Sequence, residues 1–331
     1  MKLIAVLPAL LLPALAPACE LCAIYSADNA RGDSSSGFVF TLSEQYIPFD
    51  KLQYEGSTYS SVPFLEHEQA FLHSSITHFV PGYNFSPRLA VSLNVPYVHR
   101  NFRRTQITPL GEFIDEQGAV SGLGDTALVG RWTVFQKNKM DHSFSVNLLA
   151  GVKFPTGDTE RLEAEVAEEM RYQSYFGPVH SHAFGGIHQH DLSPGSGSFD
   201  GVFGVTANSR WRRMFFNVQA QYYLRTEALG YEYGDLTIVS GGPGVYALLL
   251  DTFTLSVQAN AFYENQNSDE VLGKVNNQTG LTSWYVGPQI SLTWGEHFSA
   301  NAGADLPVRI YNRGIQSVPD FRIHAGVSWK F

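Results

Sequence analysis

The segment HSHAFGGIHQH carries four histidines, His180, His182, His188 and His190, as two His-x-His pairs on either side of a Gly-Gly turn. Alternate residues of an extended chain point the same way, so each pair can offer two imidazoles to one ion, and imidazole suits zinc, copper or nickel. The plainer reading is a polar surface loop whose charge follows pH. Cys19 and Cys22, the only cysteines, stand at C-x-x-C spacing. Haem attachment of the c type needs a histidine next, and the residue is Ala23. Exported thiols oxidise, so a local disulfide is one expectation for this pair and lipidation of Cys19 the other. Apart from zinc or copper at the histidines, no cofactor is expected.

A second group of chemically capable residues is spread along the chain in step with apolar neighbours. Arg88, Arg100, Asp125, Arg131, Lys153, Asp200, Arg213, Arg225, Asp235, Glu264, Asp305, Arg309 and Arg322 all fall on the polar phase of two-residue alternation. If the apolar phase faces lipid, these charges line a lumen, where they must pair or meet water. Asp125, Asp200 and Asp235 each lie beside glycines where a strand begins, which predicts rim pairs with Arg131, Arg213 or Arg225.

The elements that would position these residues are strands. In the last eleven residues, Phe321, Ile323, Ala325, Val327, Trp329 and Phe331 alternate with Arg322, His324, Gly326, Ser328 and Lys330. A strand has a side-chain period of two, so one face suits lipid and the other water. Comparable segments start near residues 37, 68, 87, 123, 141, 197, 212, 234, 252, 282, 297 and 319. Short links alternate with long ones throughout, as in barrels with short periplasmic turns and long outer loops. The reading is an all-β, closed antiparallel transmembrane barrel of about twelve strands, with ten or fourteen as the bracketing counts. An even count puts both termini in the periplasm.

Composition agrees. Only 16% of the 331 residues are charged, 13% are aromatic, and glycine is frequent at 30 residues. Beyond the amino terminus no apolar run approaches the ~20 residues of a spanning helix, which excludes a helical membrane protein. A net charge of -9 without basic runs disfavours nucleic acid. Lys2, the apolar stretch after it and Ala16-Pro17-Ala18 read as a signal peptide over 1–18. Residues 19–36 then form a periplasmic segment and 37–331 the barrel. The expected location is a bacterial outer membrane, with its lipid and a small solute as partners; no partner protein is indicated.

The longest link, 156–196, is predicted to lie outside and to contain a short helix. Leu162, Val166 and Met170 recur at helical spacing beneath five glutamates. A loop of that length can fold inward and narrow a pore. An enzyme is not expected. His73, Ser74, Ser75 and His78, or His188, His190 and Asp191, supply suitable types without a nucleophile motif.

Ser121-Gly122-Leu123-Gly124-Asp125, the run Pro194-Gly195-Ser196-Gly197-Ser198-Phe199-Asp200, Tyr233-Gly234-Asp235 and the terminal aromatic strand resemble the outer-membrane transporter family linked to phenol degradation, the MetA-pathway group. The resemblance covers roughly residues 70 to 331. It implies a passive channel for hydrophobic or aromatic solutes. The alternative is a plugged structural or binding barrel that captures a transition metal, or docks a partner, through its histidine loop.

Overall fold

Alternation carried through segments of nine to nineteen residues forces each strand to present one apolar and one polar face, and only closure leaves no unpaired edge. The computed structural model, which describes residues 36–58, 70–107, 113–177 and 186–331, is such a closed antiparallel barrel. Its twelve wall strands are Gly37–Phe49, Phe71–Ser86, Leu89–Ile107, Ala127–Asn138, His142–Lys153, Asp200–Trp211, Met214–Leu224, Leu236–Leu249, Phe253–Gln266, Leu281–Trp294, Phe298–Asn312 and Arg322–Lys330. The first and last strands close the ring in register from Val39↔Lys330 to Tyr46↔Ile323. The signal-peptide and cysteine expectations for 1–18, Cys19 and Cys22 lie outside the described residues.

The fourth wall strand has a second part. Phe113–Leu123 pairs with the upper half of Leu89–Ile107, and Ala127–Asn138 pairs with its lower half. Gly124, Asp125 and Thr126 form the break between them. The link between the third and fourth wall strands is therefore in large part a hairpin standing above the wall. Other long links also pair among themselves. Lys51–Tyr54 joins Ser57–Thr58 and Ile315–Val318, while Glu270–Val271 joins Tyr231–Glu232 and Lys274–Val275. These two small sheets cap the long-loop end.

Outside the barrel the apolar phase is exposed as expected: Phe40 and Leu42, Phe203 and Val205, Val257, Ile290, Ile323 and Val327. All five tryptophans are on this face. Trp132, Trp211, Trp294 and Trp329 gather toward the short-turn end, as an interfacial aromatic girdle does. Inside, the buried residues are largely polar.

The loop 156–196, in its described parts 156–177 and 186–196, runs into the mouth. Its helix, Glu160–Phe176, buries Leu162 and Val166 against Tyr231, Tyr233 and Val271 of the cap. Met170 is exposed, contrary to the predicted apolar stripe. The buried stripe is Leu162, Glu165, Val166 and Glu169, spaced i, i+3, i+4, i+7, because this helix faces a polar plug rather than a core. A second, one-turn helix, Gln189–Leu192, sits deeper. Ile187 and Leu192 pack on Ile47, Phe49, Leu72 and Phe102 of the wall. Burying each contributes about 1.5–3 kcal/mol. Gly186, at φ 68°, lets this segment pass against the cap; a Cβ there would stand 2.6 Å from the Ser317 amide nitrogen.

Candidate functional site: a plugged lumen

From the short-turn end upward the lumen has three levels. The lowest is a cavity of about 260 Å³ walled mainly by Asn, Gln, Ser and Thr. Their amides and hydroxyls form networks that cross strands. Thr133 Oγ1 donates to Asn147 Oδ1 at 2.7 Å, and Asn147 Nδ2 donates to Thr206 Oγ1 at 2.8 Å. Among the described residues Arg131 is the one charged side chain on this wall, and its Nη2 donates to Asn84 Oδ1 at 3.2 Å.

The middle level holds charge in pairs. Lys153 lies 3.4 Å from Asp125 Oδ2 and also binds Asp200, with all three buried. Arg322 binds Glu264 and lies over the rings of Phe262 and Tyr285, at 4.9 and 4.2 Å from their centroids. His324 Nδ1 is 3.8 Å from Asp305. Beside these pairs, Val202, Tyr223, Leu236, Ile238, Phe262 and Tyr285 make an apolar arc on the inner wall. A buried cation and carboxylate are tolerable only together. Pairing therefore engages six of the thirteen predicted lumen charges.

Four predicted lumen charges lie elsewhere. Arg88 and Arg213 are exposed in two-residue turns at the short-turn end, where the strand phase no longer applies. Arg309 is exposed and pairs with outward-facing Trp284, because Val308 is an extra residue at a bulge between Trp284 and Tyr285 that reverses the phase above it. Asp235 is set by Leu236, which faces in, so it faces out at the rim and accepts from Tyr222 Oη at 2.5 Å and the Arg225 amide at 2.9 Å. The expected rim pairing of aspartate with arginine is thus replaced. Asp125 and Asp200 share Lys153, and Arg225 is buried 5.6 Å from the centre of the Tyr233 ring.

The upper level is the plug. Arg100, buried on the inner wall, donates through Nη1 to the carbonyls of Asp191 at 2.5 Å and Ser193 at 2.7 Å. Tyr233 Oη donates to the His190 carbonyl at 3.1 Å. Arg161 at the start of the long helix donates to Glu116 Oε1 at 2.6 Å and Gln189 Oε1 at 2.9 Å, tying hairpin, helix and insert together. Arg104 completes this tie through Nε to Glu116 Oε2 at 2.9 Å. Burial pushes the Glu116 carboxyl up, but the two guanidiniums outweigh it and hold it below its usual range.

Glu165 faces the insert from the long helix. Its Oε2 accepts from the Gln189 amide at 2.8 Å, and its Oε1 lies 3.4 Å from His188 Nδ1 and 3.5 Å from His190 Nδ1. Burial would raise this carboxyl, yet the imidazoles keep it well below the carboxylate norm. Two of the four predicted histidines therefore meet, joined by a glutamate. His180 and His182 lie outside the described residues. Arg104, Glu116, Arg161 and Glu165 were absent from the sequence-based site. Arg104 could have been found by continuing the inward phase of Arg100 and Phe102.

The serine and histidine candidates for an acyl-transfer site are divided by the wall. Ser74 and His78 are buried on the inner phase, and His78 Nδ1 is 3.0 Å from Asn94 Oδ1. His73 and Ser75 occupy the outer phase, bound to Asp50 and Glu44.

No protein-family model matches this sequence, and no curated protein matches it. Among solved structures, the COG4313 outer membrane channel from Pseudomonas putida F1 superposes with a TM-score of 0.60 at 11% identity, over 92% of this chain and 99% of that one. The β domain of the Bordetella autotransporter BrkA gives 0.45 at 10% identity, over 90% of this chain and 100% of that one. The TodX deltaS2S3 mutant monoaromatic hydrocarbon channel gives 0.37 at 10%, over 90% and 91%. Closed antiparallel wall, exposed apolar belt and likeness to the first of these give the chain the fold of a transmembrane outer-membrane β-barrel.

Proposed function

We propose that this barrel is a passive outer-membrane channel for a small uncharged solute, closed in this conformation by its 156–196 loop. The observation that carries the reading is the arrangement of the lumen: a cavity walled by amides and hydroxyls with one charged side chain lies beneath a plug held by noncovalent contacts. The likeness in fold to an outer-membrane channel supports the same reading.

The finer expectation is a hydrophobic or aromatic solute of the kind implied by the phenol-degradation resemblance. Val202, Phe215, Ile238, Tyr246 and Phe262 give the cavity apolar faces among its polar groups. Such a mixed wall suits a ring bearing one hydroxyl better than an ion. Planar-bilayer recording tests the channel. The intact protein should open rarely, and a variant lacking 160–192 should conduct steadily. Proteoliposome uptake of phenol against a charged benzoate then tests the solute class. Absence of conductance in both forms would leave the alternative of a closed barrel that binds a metal or a partner through its plug.

A further inference from the structure

We propose that Glu165, His188 and His190 form a site for one borderline divalent cation, of the zinc and copper class, inside the plug. The three side chains each bring one ligand atom, and those atoms all lie within 4.8 Å of one another. Two of the three ligand-to-ligand distances are close to those around a tetrahedral ion. A tetrahedral ion with bonds near 2.0–2.2 Å holds neighbouring ligand atoms about 3.3–3.5 Å apart. Glu165 Oε1 stands 3.4 and 3.5 Å from the two imidazole Nδ1 atoms. Direct N–H···O hydrogen bonds would bring them to about 2.7–3.2 Å.

The surroundings hold these ligands in place. Glu165 Oε2 is committed to the Gln189 amide, which leaves Oε1 turned toward the imidazoles. The Asp191 carboxylate accepts from the His188 amide at 2.7 Å, and the Asp191 amide donates back to the His188 ring. This capping box fixes the one-turn helix that carries both histidines, and an ion would displace its second bond. The rings of His188 and His190 are stacked, with centroids 5.1 Å apart, and Glu165 Oε1 lies at the Nδ1 edge of both. At the other edge of His190, Nε2 lies 3.5 Å from Asp191 and 4.0 Å from Asp269. A carboxylate near the non-ligating nitrogen is the usual support of a metal-bound imidazole, and these two stand close by, farther off than a direct hydrogen bond. His188, His190, Asp191 and Asp269 also line a separate cavity of about 80 Å³, which offers a fourth position to water or an exchanging ligand.

Two imidazoles and one carboxylate suit zinc or copper better than calcium or magnesium, which prefer oxygen alone. Glu165 belongs to the long helix and the histidines to the insert. An ion here joins the two pieces of the plug, so the site is separable from any solute path and can be tested without conductance.

The test uses the full chain in detergent after chelator treatment. Zinc is titrated by calorimetry and counted by mass spectrometry, and cobalt is added separately for its visible absorption. The wild type should take up one ion, and the cobalt complex should show intense tetrahedral bands. E165A, H188A and H190A should each weaken binding by at least about 10-fold, in line with the smallest effects of disturbing a metal's supporting shell. H180A/H182A and C19S/C22S should bind as the wild type does. Heat-modifiable gel mobility checks that each variant is a folded barrel, and H190Q repeats the test with a closer isostere. No uptake by the wild type would overturn the proposal. So would undiminished binding in the folded E165A and H190Q variants, or a loss confined to the His180/His182 or cysteine variants.

Discussion

Arg100 Nη1 lies 2.7 Å from the backbone carbonyl oxygen of Ser193, joining the inner wall of the barrel to the deepest turn of its plug. The same nitrogen reaches the Asp191 carbonyl, and the guanidinium is buried. Hydrogen bonds from a charged group contribute about 1.5–3 kcal/mol each. R100A should therefore raise the open probability of the channel by roughly 10-fold or more, since each 1.4 kcal/mol is a tenfold shift in such an equilibrium. R100K, a point donor in place of a fork, should fall between. Single-channel recording reads this directly. An R100A barrel that stays closed would place the restraint on the plug elsewhere, with Ile187 and Leu192 as the first suspects.

Lys153 serves two aspartates, Asp125 at the strand break and Asp200 at a strand start. K153M leaves both carboxylates buried without their cation. Removing one partner of a buried pair typically costs about 3–5 kcal/mol. The temperature at which the compact band converts to the unfolded one on gels should drop markedly. The triple variant K153M/D125N/D200N should recover most of the loss, because neutral amides need no counter-ion. If K153M melts like the wild type, water rather than Lys153 is what solvates the aspartates.

The two aspartates also show how far the sequence carries. Starts near all twelve wall strands follow from the sequence, with clear alternation in six segments and weaker alternation in the first two and the one from Gly234, because lipid outside and water inside impose one rule on every wall residue. Asp125 and Asp200 were correctly placed at strand starts facing inward. What failed were positions where a local event interrupts the rule. At Arg309 the interruption is a one-residue bulge; at Arg88 and Arg213 it is a tight turn; and at Asp235 the strand takes its phase from the next residue. The plug was legible only as a long loop with a helix. Its buried face carries Glu165 and Glu169, which no search for apolar stripes would select; Glu165 is held by the distant insert and Glu169 by Gln173 one turn along the helix.

Glu116 should make the docking of the long helix sensitive to acid. Its carboxyl is held below its usual value by Arg161 and Arg104, against the opposing effect of burial. A depressed folded value means that the stabilisation is fully present above the unfolded value near ~4.3 and is lost as pH falls through the folded one. Amide hydrogen exchange in 160–176, corrected for its intrinsic pH dependence, should accelerate below about pH 4 in the wild type. E116Q, which has no charge to lose, should exchange faster at neutral pH and change less on acidification. Parallel pH profiles for the two proteins would rule Glu116 out as the sensor.

Gln258 and Asn217 set the electrostatic character of the cavity between them. They belong to strands that are not neighbours, yet Gln258 Nε2 donates to Asn217 Oδ1 at 2.7 Å and Asn217 Nδ2 returns a bond to Gln258 Oε1 at 3.2 Å. The strand they bridge carries Gly242, where a Cβ would stand 2.0 Å from the Ala259 carbonyl oxygen, and the amide pair passes over this bare backbone. Because Arg131 is the only charge on the cavity wall among the described residues, a single new charge there meets little competition. In the plug-deleted barrel, Q258E should turn a nearly non-selective pore toward cations, and Q258K should turn it toward anions. The readout is the reversal potential under a salt gradient, and the two variants should displace it in opposite directions. The shift should shrink as ionic strength rises and the Debye length falls from about 10 Å at 0.1 M toward 3 Å at 1 M. Equal reversal potentials for both variants would mean that ions do not pass this point, and the cavity would then be a dead end rather than part of a path.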